Sequence, residues 1–246
     1  MTMLDIHYHL LPGVDDGPAS LEESLALARF SVADGVTHVI ATPHCHQHLR
    51  LLRADVLPRV ATMNEELARA KIPLVVFPGS EIQLTDVEQY QRDHLAGVYC
   101  HLGDDPGFTL LEFPWSDESY PTGAPEHIRW LRDHNTVPII AHPERHAFFR
   151  EDAKRLRDLV QNGAWIQVTV DSLLGNFGPK SQESGFDLVR MYPDTVLASD
   201  THGPHRCSGL SAGYQVVRTE INAARETELR SRADSILEHI LTKAKP

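Results

Sequence analysis

Residues Val36–His44 read VTHVIATPH, and residues Pro73–Glu81 read PLVVFPGSE. Each is a short β-prone run that ends on a residue able to ligate a metal. Between them, Val56, Val60, Met63, Leu67 and Ala70 recur at helical spacing over Arg53–Lys71. Strand, helix, strand predicts a parallel pair joined by a crossover helix. The rhythm extends in both directions. Upstream lie a strand, MLDIHYHL, and a helix with a Ser20–Glu23 capping box, apolar positions Leu21, Leu25, Ala28 and Val32, and a stop at Gly35. Downstream, GVYCHLGDDPGFTLLEFP predicts a hairpin about Asp-Asp-Pro-Gly, its second arm joining the sheet. Next come a helix near Ala124–Asn135, the strand VPIIAHPE, a helix near Glu151–Asn162, the strand AWIQVTV, a helix near Ser184–Met191 and the strand TVLASD. The region from Leu210 is expected to be helical and to pack around the outside. Seven strands separated mostly by helices predict an α/β fold, a parallel barrel in a single domain over residues 1–246.

Composition narrows the function. No stretch approaches the roughly 18 apolar residues that a membrane span needs, so no membrane insertion is expected. The N-terminus MTMLDIHYHLL has no basic start or small-residue cleavage site, which with three widely spaced cysteines predicts a cytoplasmic, reduced protein. A formal charge of −11 argues against nucleic acid as a partner. The 15 histidines, several beside Asp or Glu, favour a site for zinc, manganese or iron.

Candidate ligands recur in phase with the strands. His7 and His9 end the first, His44 the second, Glu81 the third, Glu112 the fourth, His142 the fifth, and Asp200 with His202 the seventh. Barrel enzymes build their sites on that face because the strand ends open into one crevice. The i, i+2 spacing of His7 and His9 puts both on one side of a strand, as it does Asp200 and His202. Taken singly, each is equally a half-buried or strand-capping residue; together they predict a cluster of two or three cations. Asp15 and Asp16 follow the first strand in a loop that can reach back over the crevice, whereas His46 and His48 are expected on a solvent-facing loop. Arg145 and Arg206 lie just beyond His142 and His202, and guanidinium matches phosphate oxygens.

In order, DIHYHLLPGVDDGP, IATPH, PGSEI, LLEFP, PIIAHPERH and ASDTH resemble the motifs of the PHP (polymerase and histidinol phosphatase) superfamily. More narrowly, they are similar to its bacterial tyrosine-protein phosphatases associated with capsular and exopolysaccharide synthesis. That resemblance implies a distorted (β/α)7 TIM-like barrel and three divalent ions, manganese foremost, with iron or zinc as alternatives. It implies His7, His9, Glu81 and Asp200 around the first ion, Glu81, Glu112 and His142 around the second, and Asp16, His44 and His202 around the third. The implied partner is the phosphotyrosine-bearing tail of a bacterial tyrosine autokinase. Two departures stand out: GPHRCSG follows His202 where an Asn-like residue is expected, which leaves the role of Arg206 open, and Thr169 stands where asparagine is common.

The chemistry expected is in-line attack of a metal-bound hydroxide on phosphorus, with the cations and Arg145 neutralising phosphoryl charge. A small-molecule phosphomonoesterase of the histidinol phosphatase type and a PHP-type nuclease are the alternatives. Cysteine-based phosphatase chemistry fits poorly, because four residues rather than five separate Cys45 from Arg50 and no glycine lies between them.

Overall fold

The computed structural model describes residues 2–243. Its strands are β1 (Leu4–Tyr8), β2 (His38–Ala41), β3 (His44–His46), β4 (Leu49–Arg50), β5 (Val75–Pro78), β6 (Glu81–Gln83), β7 (Phe108–Glu112), β8 (Val137–Ala141), β9 (Trp165–Thr169) and β10 (Thr195–Ala198). Its helices are α1 (Leu21–Ala33), α2 (Arg53–Arg69), α3 (Val87–Leu95), α4 (Ala124–Asp133), α5 (Ala147–Glu151), α6 (Ala153–Gln161), α7 (Val170–Leu173), α8 (Pro179–Met191), α9 (Leu210–Glu220) and α10 (Ala223–Lys243). β1, β2 and β5 form one parallel sheet, and a second runs β10-β9-β8-β7-β6-β3-β4, parallel except for the β3–β4 hairpin. Among the described residues no helix is long and apolar enough to cross a membrane.

The runs Val36–His44 and Pro73–Glu81 are each broken once. VTHVIATPH becomes β2 and the start of β3, and PLVVFPGSE becomes β5 and the start of β6. Pro43 has no N–H to continue a ladder. Gly79 lies so close to the neighbouring strand that a Cβ there would meet Ile40 Cγ2 at 2.6 Å and the Ala41 carbonyl at 3.3 Å. Before the break these segments belong to the sheet of β1; after it they pair with each other and, through β6, with β7. Beyond the strand ends, Asp200 N donates to His7 O at 3.0 Å and His9 N to Thr201 O at 2.9 Å, joining β10 of one sheet to β1 of the other.

Alternation decides what faces the shared interior. Leu4, Ile6, Ile40, Leu110, Ile139, Val196 and Ala198, from both sheets, form one buried cluster. Glu112 and Asp200 continue that alternation toward the C-terminal strand ends. In β1 the register against β2 shifts between Asp5 and Tyr8. Such a bulge re-aims the strand, so His7 and His9 follow Ile6 inward while Tyr8 turns to α1, accepting a hydrogen bond from Ser31 Oγ at 2.9 Å.

Three expectations need correction, and one helix lies outside them. The hairpin at Gly97–Pro114 forms only its second arm, β7; the stretch before it holds a single 3-10 turn, Leu102–Asp104, curled by positive φ at Gly103 and Asp104. An additional helix, α3, precedes it, capped by Asp86, which accepts from Gln89 N at 2.9 Å. The buried face of α1 is Ser24, Leu27, Ala28 and Ser31, with Leu21 exposed, because two serines occupy core positions that apolar periodicity cannot reveal. Finally, α10 does not simply pack outside: Ala233, Ile236, Leu237 and Ile240 join the interior cluster and close it at the end away from the ligands.

Candidate metal centre

Parallel register brings the candidate ligands together. His44 on β3 is paired with Glu81 on β6, and His44 Nδ1 lies 2.9 Å from Glu81 Oε2. His7 and His9 turn their Nε2 atoms toward each other at 3.2 Å. Glu81 Oε2 lies 3.2 Å from the first and 3.4 Å from the second, and Asp200 Oδ1 lies 3.2 and 3.7 Å from them. His142 Nε2 meets the other Glu81 oxygen at 2.9 Å. Asp16 reaches back over the crevice to His44 Nε2 at 3.2 Å and His202 Nε2 at 3.3 Å. Glu112 is grouped with Glu81 and His44, and its oxygens accept from Gln83 Nε2 at 2.9 Å and Trp115 Nε1 at 3.0 Å. All nine residues expected to ligate metal therefore lie in one continuous cluster, and Glu81 stands at its centre.

The donor spacing fits coordinated cations. Two ligands each about 2.1 Å from a metal at tetrahedral or octahedral angles stand about 3.0–3.4 Å apart. The distances among His7, His9, Glu81 and Asp200 fall around that range, and hydrogen bonds alone cannot satisfy so many acceptors meeting at one point. Glu81 Oε2, Asp200 Oδ1 and His202 Nε2 are buried without a hydrogen-bond partner. Such groups are costly unless an ion engages them.

Electrostatics points the same way. Burial alone would raise the Glu81 pKa, yet His7 and His44 hold it well below the carboxylate range. Asp200 is lowered against burial by His7 and Arg206. Despite burial, His7 is pushed up to about 9 by Glu81 and Asp200. Glu112 is raised to about 7 by burial and by the charge of Glu81, so positive charge beside it favours its ionised form. The cluster thus concentrates negative charge where positive charge is stabilised.

The residues that hold the ligands carry no signal in the strand-end pattern. Gln167 Oε1 accepts from His7 Nδ1 at 3.0 Å, and Asp15 Oδ2 accepts from His9 Nδ1 at 2.8 Å, so each imidazole presents its Nε2 lone pair to the cluster. Thr169 acts at one remove, accepting from Gln167 Nε2 at 3.1 Å. Buried Asp5 accepts from the backbone N–H groups of His7 and Ser199, and buried Glu144 from Thr169 N and Ser172 Oγ. His142 and Asp200 adopt positive φ, 34° and 53°, a conformation uncommon for non-glycine residues that clusters at functional sites. Inward alternation on β9 is enough to flag Gln167; nothing in the spacing flags Trp115.

Both arginines reach the cluster. Arg145 Nη1 donates to Asp200 Oδ2 at 2.7 Å, and Arg206 Nη2 donates to the same oxygen, which places Arg206 in the site despite the unusual sequence around it. His46 is half-buried and His48 exposed on the β3–β4 hairpin. Cys45 and Cys100 are buried, with thiols pushed up to about 11 and about 12 by burial, so neither is a thiolate nucleophile at neutral pH.

The family profile described as "Capsular polysaccharide synthesis, CpsB/CapC" matches residues 3–238. The chain is 36% identical over 202 residues to tyrosine-protein phosphatase YwqE of Bacillus subtilis (strain 168), covering 81% of this chain and 77% of that protein. It is 30% identical over 239 residues to tyrosine-protein phosphatase CpsB of Streptococcus pneumoniae, covering 92% and 94%. A solved structure described as YwqE from Bacillus subtilis and CpsB from Streptococcus pneumoniae, "unique metal-dependent tyrosine phosphatases", superposes with a TM-score of 0.90 at 31% identity, covering 96% of this chain and 94% of that one.

Proposed function

The chain belongs to the CpsB/CapC family of capsular polysaccharide synthesis, and we infer that it is a metal-dependent protein-tyrosine phosphatase, a phosphoric monoester hydrolase. The observation that carries this reading is the convergence of His7 Nε2, His9 Nε2, Glu81 Oε2 and Asp200 Oδ1 beside two arginines. We propose that the two sheets form one distorted (β/α)7 barrel in a single domain, supported by the bonds from Asp200 and His9 that join β10 to β1. We propose three divalent ions, manganese foremost: His7, His9, Glu81 and Asp200 would hold the first, Glu81, Glu112 and His142 the second, and Asp16, His44 and His202 the third. The proposed substrate is the phosphotyrosine-bearing tail of a bacterial tyrosine autokinase in capsule or exopolysaccharide synthesis.

When bound, the cations would supply Lewis acidity and lower the pKa of water toward neutrality. The chain's own residues do the positioning. Asp200 holds Arg145 and Arg206 by one carboxylate oxygen, and each guanidinium keeps further N–H donors for phosphoryl oxygens. Asp15 and Gln167 fix the tautomers of His9 and His7. Tyrosine phenolate, with a pKa of about 10, leaves readily, so no side chain has to protonate the leaving oxygen.

Hydrolysis of a phosphotyrosine peptide, histidinol phosphate and a single-stranded oligonucleotide, compared with added manganese, tests the assignment. The peptide is expected to be the preferred substrate, chelation to silence the enzyme, and Cys45→Ser to leave it active. Activity that survives full metal removal but disappears in Cys45→Ser would overturn the reading.

A further inference from the structure

Trp115 is 50% exposed, yet its ring is held in place. Besides the bond from Nε1 to Glu112, its face stacks on His146, with centroids 4.3 Å apart and planes at 20°, and on His142 at 5.4 Å and 18°. An aromatic fixed in this way presents a preformed apolar face to whatever enters the crevice. Phe177, half-buried in the loop after α7, lies 4.3 Å from Arg145 Cζ and 5.7 Å from Arg206 Cζ, while the Trp115 ring lies 5.0 Å from Arg145 Cζ. A phosphoryl group gripped by the open donors of Arg145 therefore sits beside both rings. In an aryl phosphate the substrate ring follows phosphorus by one bridging oxygen, so it cannot lie far from them.

The geometry points to Trp115 and Phe177 as the apolar wall that receives the phenyl ring of the substrate, and hence as the residues that set preference for aryl over alkyl phosphate esters. This rests on the phosphotyrosine reading. The test uses the full chain loaded with manganese and two unreactive ligands, phenylphosphonate and methylphosphonate, as competitive inhibitors. In Trp115→Ala and Phe177→Ala, Ki for phenylphosphonate is expected to rise about tenfold while that for methylphosphonate changes by less than about twofold. Trp115→Phe, which keeps a ring and loses the N–H, should retain most of the discrimination. Because Trp115 touches Glu112, metal content is measured in each variant; if Trp115→Ala loses metal, Phe177→Ala carries the test alone. Equal rises for both inhibitors would mean that the rings only steady Arg145, and would overturn the proposal, as would no change in either. Failure of the underlying reading looks different: the wild-type enzyme would not hydrolyse the phosphotyrosine peptide at all.

Discussion

His9 is anchored through Asp15, whose Oδ1 also accepts from Gly17 N at 3.0 Å while its Oδ2 accepts from His44 N at 3.2 Å. One carboxylate thus orients two candidate ligands without itself facing the cluster. Asp15→Ala is expected to lower metal affinity by about 10–100-fold with the secondary structure unchanged, and an unaltered metal titration would refute the role. His7→Ala and His9→Ala should abolish turnover in chains that still fold; near wild-type rates would refute the metal assignment. At this scale the candidate ligands other than Asp16, which lies in a loop, are legible because strand ends repeat: a chain that closes one apolar run after another on His, Asp or Glu delivers those residues to a single crevice. Their supports are not. Trp115 and Glu144 act through a stacked ring or through partners 25 or more residues away, which no local spacing encodes, and alternation marks Gln167 only as an inward position without naming its partner His7.

Among the elements, a second group of histidines lies between α3 and α4. His94, on α3, packs edge-on against His101 at 4.8 Å and against Trp130 at 5.4 Å, and His127 sits edge-on to Tyr90 at 4.8 Å. Tyr99 and His134 complete the surroundings. Burial pushes His101 down to about 3 and His127 down to about 4, so both are neutral in the folded protein at neutral pH. Unfolded, each would titrate near 6.5. Between those values the unfolded chain binds protons that the folded chain refuses, so stability is complete above about pH 6.5 and falls as the pH drops. At pH 5 the loss is about 2 kcal/mol for each ring. The double substitution His101→Gln, His127→Gln should flatten unfolding free energy against pH between about 6.5 and 5 in urea titrations; an unchanged slope would count against it. This layer also holds the place where a 3-10 turn, preceded by α3, stands instead of a hairpin arm. The β-prone run Val98–Cys100 favours an arm by composition, while Gly97 and Gly103, both at positive φ, keep it from extending.

For the whole molecule, the parallel strand order follows from alternating strands and helices, but the closing helix does not. Helical periodicity identifies an apolar face without saying which surface will cover it, and by its sequence α10 suits any outer layer. It instead packs on β1 and β10 and joins the buried cluster of Leu4, Ile6, Leu110 and Val196, at the end of the interior opposite the candidate ligands. Ile236 is fully buried there. Ile236→Ala leaves a cavity in a packed interior, and the expected loss is about 2–5 kcal/mol. If the interior strands are rigid enough to insulate the two ends, stability should fall in urea unfolding while kcat per folded molecule stays at the wild-type value at temperatures well below the transition. A drop in kcat together with retained metal content would show instead that the plug helix tunes the ligand geometry through the strands.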